Sequence, residues 1–435
     1  MNNQEFRAVV PIAKGQPDFS LPNFETEFIK NHKIYFIEDR TQPLVSIKFL
    51  FKIGSYHEKI DGLAHFTAQM LTLGNSKMNA EQINEKIDYF GAQLSSASYW
   101  DELVTSINML QNHTDELLKL LLDCITSPTL QQSEIDRLKK RQISYIQQQN
   151  ADPSYVAQIA FNEQYYHGTN YAHARIGNEQ SIIRITKEDI IDYYQQLIKS
   201  DYAILVSRNY DIHAVLKALD QYLTAPDNEN TANNEYHNIE PRSSVILIDK
   251  TDATQATFRL GKPSIKRTSP DFPAFITANT IFGGFFLSRL NENLREKQGL
   301  TYGISSYNDA RRYSSTLVIA TNINEENSKR ALDEIYKELD KFNKEPCTTE
   351  ELNRAIQYML GSFARGMENH RQISSLVQTL ESYSLPTSYY QEIYSKIATL
   401  DNETVFMAQK KYFSSDGIMA IVCGNKTRLE QIFHA

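Results

Sequence analysis

The feature that most constrains this chain is an internal repeat in the spacing of its helix signals. Ser133, positioned to cap one helix, and Thr186, positioned to cap the next, are 53 residues apart, and Thr348 and Asp401 stand in the same relation, again 53 residues apart. From the second cap of each pair to the aspartate before a closing apolar strand (Asp201 and Asp416) the interval is 15 residues in both halves. The closing strands match in kind: Asp201-Tyr-Ala-Ile-Leu-Val and Asp416-Gly-Ile-Met-Ala-Ile-Val, each followed by a helical stretch. Matching intervals of this kind in the two halves mark a duplicated domain. The expected fold class is therefore α+β, with two sequential homologous domains, each a mainly antiparallel sheet with helices packed on one face. The 435 residues are enough for two cores. The polar, Asn-rich run over residues 227–240 has no periodicity and reads as the linker between domains 1–226 and 241–435.

Within the first half, Phe19-Ser20-Leu21, Lys33–Ile37 and Val45–Phe51 carry strand signals, and Gln93–Leu110 returns to strand. Helical patterns cover Leu63 to about Leu73, Ala80–Phe90 after an Asn79 cap, Thr114–Ile125, Ser133–Gln149 and Pro153–Tyr166. The second half opens on the strand Ser244–Ile248. Net charge is −8 and no Lys/Arg run occurs, which disfavours a nucleic-acid partner. No apolar run reaches the length of a membrane span. Cys124, Cys347 and Cys423 are far apart and read as buried reduced thiols. The start, Met1–Gln16, lacks the apolar core of a secretory signal. A cytoplasmic location is expected, or a periplasmic one for a chain already trimmed of its signal.

The stretch Gly62-Leu-Ala-His65-Phe-Thr-Ala68-Gln69 has the frame of an inverted zinc-protease helix, His-x-x-Glu-His, in which two imidazoles share one helical face and the glutamate is general base. Here His65 is kept, Ala68 stands at the base and Gln69 at the second ligand. A second long motif runs from Gly283-Gly284 through Ser288-Arg-Leu, Leu294-Arg295-Glu and Gly299-Leu to Tyr302. By pattern this is a Gly-Gly turn, an amphipathic helix with apolar Leu287, Leu290 and Leu294, a glycine stop at Gly299 and a β segment from Tyr302 to Tyr307. His167 and His173 fall in a stretch that reads as a surface loop, and Arg311-Arg312 reads as a solvated turn.

These two motifs, with the entry Gly54-Ser55 to Asp61-Gly62, resemble the pitrilysin/insulinase family of zinc metallopeptidases, from Phe19 almost to the C-terminus. The family's spacing for its third ligand, a glutamate, leads from Gln69 to Tyr145. The resemblance therefore implies a degenerate site at His65, Ala68, Gln69 and Tyr145. Amide, phenol and methyl groups do not replace imidazole and carboxylate as zinc ligands, so no metal is expected in this chain and His65 reads as a hydrogen-bonded helix histidine. The resemblance also implies that Arg295 and Tyr302, seven residues apart, face a composite site. There they would bind substrate and stabilise the transition state in trans; the alternative is that both are fold-holding contacts. Some bacterial members of the family pair a zinc-bearing chain with one bearing the Arg/Tyr pair. That implies a heterodimer with a homologue carrying an intact His-x-x-Glu-His, or a homodimer, with zinc in the partner and a peptide as substrate. The competing readings are a non-catalytic scaffold or peptide-binding protein, and a stand-alone metallopeptidase, which Ala68 opposes.

Overall fold

The computed structural model describes residues 24–38, 43–208, 211–226, 236–368 and 370–434. Phe19-Ser20-Leu21 and most of the expected linker lie outside these residues. The first half comprises β1 (Phe24–Ile29), β2 (His32–Glu38), β3 (Leu44–Phe51), α1 (Leu63–Met70), α2 (Ala80–Tyr89), β4 (Gln93–Ser98), β5 (Leu103–Leu110), α3 (Thr114–Thr126), α4 (Gln132–Asn150), α5 (Pro153–Tyr165), α6 (Glu179–Arg184), α7 (Lys187–Lys199), β6 (Tyr202–Arg208) and α8 (Ile212–Tyr222). The second comprises β7 (Ser244–Asp249), β8 (Gln255–Pro263), α9 (Phe272–Asn279), two π-helical segments (Thr280–Gly284 and Asn291–Lys297), β9 (Ile304–Arg311), β10 (Ser314–Asn324), α10 (Ser328–Lys344), α11 (Thr349–Arg365), α12 (His370–Ser382), α13 (Tyr389–Ala398), α14 (Asn402–Tyr412), β11 (Met419–Gly424) and α15 (Lys426–His434).

The first sheet has the order β1-β2-β6-β3-β5-β4 and the second β7-β11-β8-β10-β9. Apart from the extra edge strand β1, the two orders superpose strand for strand. In each sheet the first strand of that common order runs parallel to the closing strand (β2 with β6, β7 with β11), and the other described pairings are antiparallel. The expected mainly antiparallel, duplicated α+β architecture is what the chain forms. Three of the four caps behave as their residue types require: Thr186, Thr348 and Asp401 accept hydrogen bonds from Asp189, Glu351 and Thr404 N–H. Ser133 does not. The backbone leaves the extended region at Gln131, so α4 starts at Gln132 and Ser133 sits inside its first turn.

Each sheet buries one face against helices of its own half. Ile47, Phe49 and Phe51 of β3 join Leu117 and Leu121 of α3 in one core, and Phe258 and Leu260 of β8 join Ile335 and Leu339 of α10 in the other. The opposite faces are covered reciprocally. Helix α5, from the first half, lays Ala157, Ala160 and Phe161 over Met419, Ile421 and Cys423 of β11. Helix α12, from the second half, lays Ile373 and Val377 over Tyr35 and Ile37 of β2 and Ala203 and Leu205 of β6. Burying each of the larger of these side chains, such as Ile373, Val377 and Phe161, contributes about 1.5–3 kcal/mol. Gly261 is required here for space, because a Cβ at that position would run into the Phe161 ring. All three cysteines are buried and free, and burial pushes their thiols up to about 11. Among the described residues no helix is long and apolar enough to cross a membrane.

Polar contacts lock the junction. Glu381 of α12 accepts from the Tyr35 hydroxyl at 2.5 Å and pairs with Lys52 at 2.6 Å, and Lys52 also reaches Asp201 at 2.7 Å. Burial alone would raise the Glu381 carboxyl, but Lys52 and Tyr35 outweigh it and hold the group below its ordinary value of 4.5. A carboxylate depressed on folding adds stability that is complete above its unfolded value and is lost as pH falls through its folded one. Glu381→Gln is expected to cost about 1.5–3 kcal/mol at neutral pH. In thermal melts across pH, its deficit relative to the parent should shrink only as the pH drops below 4.5; a constant deficit would overturn the assignment.

Arg311 and Arg312 are not a solvated turn. Arg311 is 6% exposed. Its guanidinium donates to Asp309 at 3.0 Å and Asn162 at 3.2 Å and lies 4.1 Å, 4.5 Å and 4.8 Å from the ring centroids of Tyr166, Trp100 and Tyr171. Arg312 donates its backbone N–H to Asp101 at 2.9 Å and its Nη1 to the Lys52 carbonyl at 3.1 Å. Two arginines of the second half are thus seated in a cage built by the first.

Candidate functional site

Helix α1, which carries His65, is set by its N-terminus. Gly62 has φ +88°, and a Cβ there would come within 2.8 Å of the Gly177 backbone, so glycine is needed for both conformation and space. The Glu58 carboxylate accepts from Gly62 N–H at 2.8 Å and Ala64 N–H at 2.7 Å, satisfying two orphan donors of the first turn. It also contacts His173 Nε2 at 2.8 Å. Burial still raises the Glu58 carboxyl, with His173 and the two N–H groups opposing. His173 is therefore a half-buried anchor for α1 and not a surface-loop residue, since its acidic partner comes from a distant part of the chain.

The retained imidazole is engaged within the protein. His65 Nε2 lies 2.9 Å from the Gln69 amide nitrogen, which donates, so the ring proton sits on Nδ1, buried and unpartnered. The same amide nitrogen lies 3.2 Å from Gln142 Oε1, and Gln69 Oε1 accepts from Arg141 at 2.9 Å. Gln142 in turn donates to the Ile176 carbonyl at 3.1 Å. Burial first, and the Arg175 charge second, lower His65 to about 4, so it is neutral at physiological pH. Ala68 is fully buried and contributes only its methyl to the core. Tyr145 is 43% exposed on α4, and the α4 residues that meet Gln69 are Arg141 and Gln142, about one turn earlier.

These residues do not fit zinc. Its one imidazole lone pair is taken by an amide N–H, the Gln69 carbonyl is taken by a guanidinium, and Arg141 and Arg175 bring positive charge where a dication would need carboxylates. Among the described residues no group of three or more His, Cys, Asp or Glu side chains could hold a metal ion. The purified chain is expected to retain no stoichiometric zinc and to cleave no peptide. Metal analysis and a chelator-controlled peptide assay check this; stoichiometric zinc with chelator-sensitive turnover would overturn it.

In the second half, Gly283-Gly284 is not a turn. Both glycines lie in the first π-helical segment and neither has a positive φ. Gly283 is needed for close approach, since a Cβ there would meet Ser306 Oγ at 2.6 Å and Leu290 Cδ1 at 2.8 Å. Asn279 and Asn291 donate to the carbonyls of Ser306 at 3.1 Å and Ile304 at 2.8 Å, tying the π-helical stretch to the start of β9. Such π segments cluster at functional sites. Leu290 and Leu294 are buried as their spacing requires, but Leu287 is 54% exposed. Arg295 is partly exposed, with its guanidinium 4.3 Å from the Phe286 ring centroid. The chain stops its helix at Gly299, with φ +64°, and β9 starts only at Ile304.

Tyr302 lies in that short connection and is 93% exposed. It lines a cavity of about 470 Å³ together with Arg259, Thr301 and Asn322 of its own half and Ser154 of α5. The next residue, Tyr155, is within electrostatic reach of Tyr145 and Arg175. The first turn of α5 thus supplies Ser154 to the cavity of Tyr302. Glu58, Arg141, Gln142, His173 and Arg175 were missed by sequence reasoning; only the loop carrying His173 and Arg175 drew attention there.

Residues 33–179 match the family model described as Insulinase (Peptidase family M16), and residues 184–359 match that of the Peptidase M16 inactive domain. A relative in Helicobacter pylori, the "non-peptidase homolog YmxG", is 23% identical over 91% of this chain and 92% of its own length. The "uncharacterized zinc protease YmxG" of Bacillus subtilis is 21% identical over 87% of this chain and 92% of its own. Among solved structures, a peptidase M16 inactive domain from Pseudomonas fluorescens superposes with a TM-score of 0.83 and 24% identity, covering 92% of this chain and 98% of that one, which shows a shared fold. The duplicated architecture, the two family matches and a motif helix that has lost its metal-binding chemistry place the chain in the insulinase family, M16, as a member without the zinc motif.

Proposed function

We propose that this chain is the non-zinc-binding subunit of a peptide-degrading metallopeptidase, pairing with a homologue whose His-x-x-Glu-His is intact and contributing Arg295 and Tyr302 to the shared site. The observation that carries this reading is the near-complete exposure of Tyr302, 93%, on a chain whose own motif helix does not fit zinc. A tyrosine normally buries its ring. One held out on a short connection, beside a cavity that Arg259 also lines, suits a partner surface or a bound chain. In that assembly the metal and the general base belong to the partner. Arg295 would hold substrate carbonyls with its planar fork of donors, and the Tyr302 hydroxyl would donate to the oxygen that gains charge in the transition state. The substrate is a short or unfolded peptide enclosed between the chains. Mixing the chain with a homologue that bears the intact motif should give a heterodimer and peptide turnover that neither chain shows alone. Absence of both a complex and turnover with every such homologue of the same cell would overturn it.

A scaffold or peptide-binding role is the second reading. It is favoured by Phe286 and Leu287, which are 60% and 54% exposed next to Arg295 and form an apolar ledge that a partner protein could cover.

A further inference from the structure

A cavity of about 130 Å³ lies between the 266–268 segment, the β9–β10 hairpin tip and the C-terminal end of α12. Lys266, Arg267, Arg311 and Arg312 line it together with Ser315 and other hydroxyl side chains, and no carboxylate does. The acids nearby are already engaged. Asp309 is held by Arg311, Asp101 by the Tyr171 hydroxyl and the Arg312 N–H, and Glu102 by Gln378 and Ser382. Several donors of the lining residues are not. Arg267 Nε, Arg311 Nη1, Arg312 Nη2 and Ser315 Oγ are buried without a hydrogen-bond partner, and Arg311 is 94% buried as a residue, being 6% exposed. The Arg267 and Arg311 guanidinium groups lie 5.0 Å and 4.1 Å from the ring centroids of Tyr383 and Tyr166, and Arg267 also meets the Tyr383 and Tyr389 hydroxyls.

Buried polar groups are normally satisfied, and buried cations are normally paired. Three guanidinium groups and a hydroxyl converging on one small space call for an acceptor with oxygens on every side, which a tetrahedral anion offers and a planar carboxylate does not. At about 30 Å³ per liquid water the space corresponds to roughly four waters. That suits one such anion. A second cavity of about 610 Å³ shares Arg267, Arg311 and Ser382 with it and gives a route in.

We propose that this cavity binds a single phosphate-type oxyanion, held by Arg267, Arg311 and Arg312, and that the bound anion ties α12 to the β9–β10 hairpin at the junction of the two halves. A ligand that binds only the folded chain raises its melting temperature in proportion to the logarithm of its concentration once saturating. The full-length chain is titrated with inorganic phosphate by calorimetry and in thermal melts, with ionic strength held constant by sodium chloride. Saturable one-to-one binding and a rising melting temperature are expected, with succinate giving neither. Arg267→Gln should weaken phosphate binding at least tenfold, and Lys266→Gln, at an exposed position that keeps the fold safe, should weaken it several-fold. A parallel titration with phosphoserine separates the sources: tighter binding than phosphate assigns the site to the phosphoryl end of a larger ligand reaching into the second cavity, and weaker binding assigns it to the free anion. No saturable phosphate binding, an equal effect of succinate, or unchanged affinity in both variants would overturn the proposal.

Discussion

Arg311→Ala is expected to destabilise the protein by about 3–5 kcal/mol, the loss typical of removing one partner from a buried charge network. The substitution does three things at once. It leaves the Asp309 carboxylate without its ion pair at 3.0 Å, and it strips the Asn162 side chain of its donor. It also empties a cage formed by Trp100, Tyr166 and Tyr171, whose rings now pack around a planar cation. Arg311→Lys should recover little, because an ammonium is a compact point charge and cannot stack while donating to two residues. Urea unfolding of the parent and both variants measures this directly. A loss below about 1 kcal/mol, the scale of an exposed pair, would show that the Arg311 cage does not hold the two halves together.

The second large effect is functional. In the assembly with a zinc-bearing homologue, Tyr302→Phe is expected to lower turnover about tenfold or more, since removal of one oxyanion donor costs about 10²–10³ in kcat where it has been isolated. The deficit should fall on kcat with KM little changed, the signature of an interaction made only in the transition state. The change removes one hydroxyl from a side chain that is 93% exposed, so folding stability should stay within about 0.5 kcal/mol of the parent. That separates a catalytic deficit from a folding one. Unchanged turnover in a complex that still forms would favour the scaffold reading.

Much of the architecture was legible because it is written in local chemistry. Thr186, Thr348 and Asp401 cap helices wherever they are placed before an apolar-periodic run, and equal intervals between them betray duplication. The Ser133 cap and the Gly283-Gly284 turn were misread locally, and the remaining misreadings are long-range. Nothing local to α5 says that Phe161 will lie on Gly261 of the other sheet. An arginine doublet between strands resembles a solvated turn until Trp100, Tyr166 and Tyr171 arrive from elsewhere in the chain. One signal was available: Asp309 and Arg311 are two apart on a strand and so share a face. At the motif helix the loss of metal ligands could be counted from residues, whereas the two guanidinium groups that make the site hostile to a dication come from α4 and a loop and could not.

The reciprocal covering by α5 and α12 has an ancestral reading. Two equivalent helices, each leaving its own half to close the other half's sheet, make a contact that is the same seen from either side, which is the defining property of a twofold-symmetric dimer. A half-length chain with this topology would find its missing layer on a second copy of itself. Joining two such copies end to end would turn a concentration-dependent association into an intramolecular one and free the two halves to diverge. On this view the present chain preserves a dimer interface in its interior. A half expressed by itself should re-form that interface with its twin rather than persist as a folded single unit.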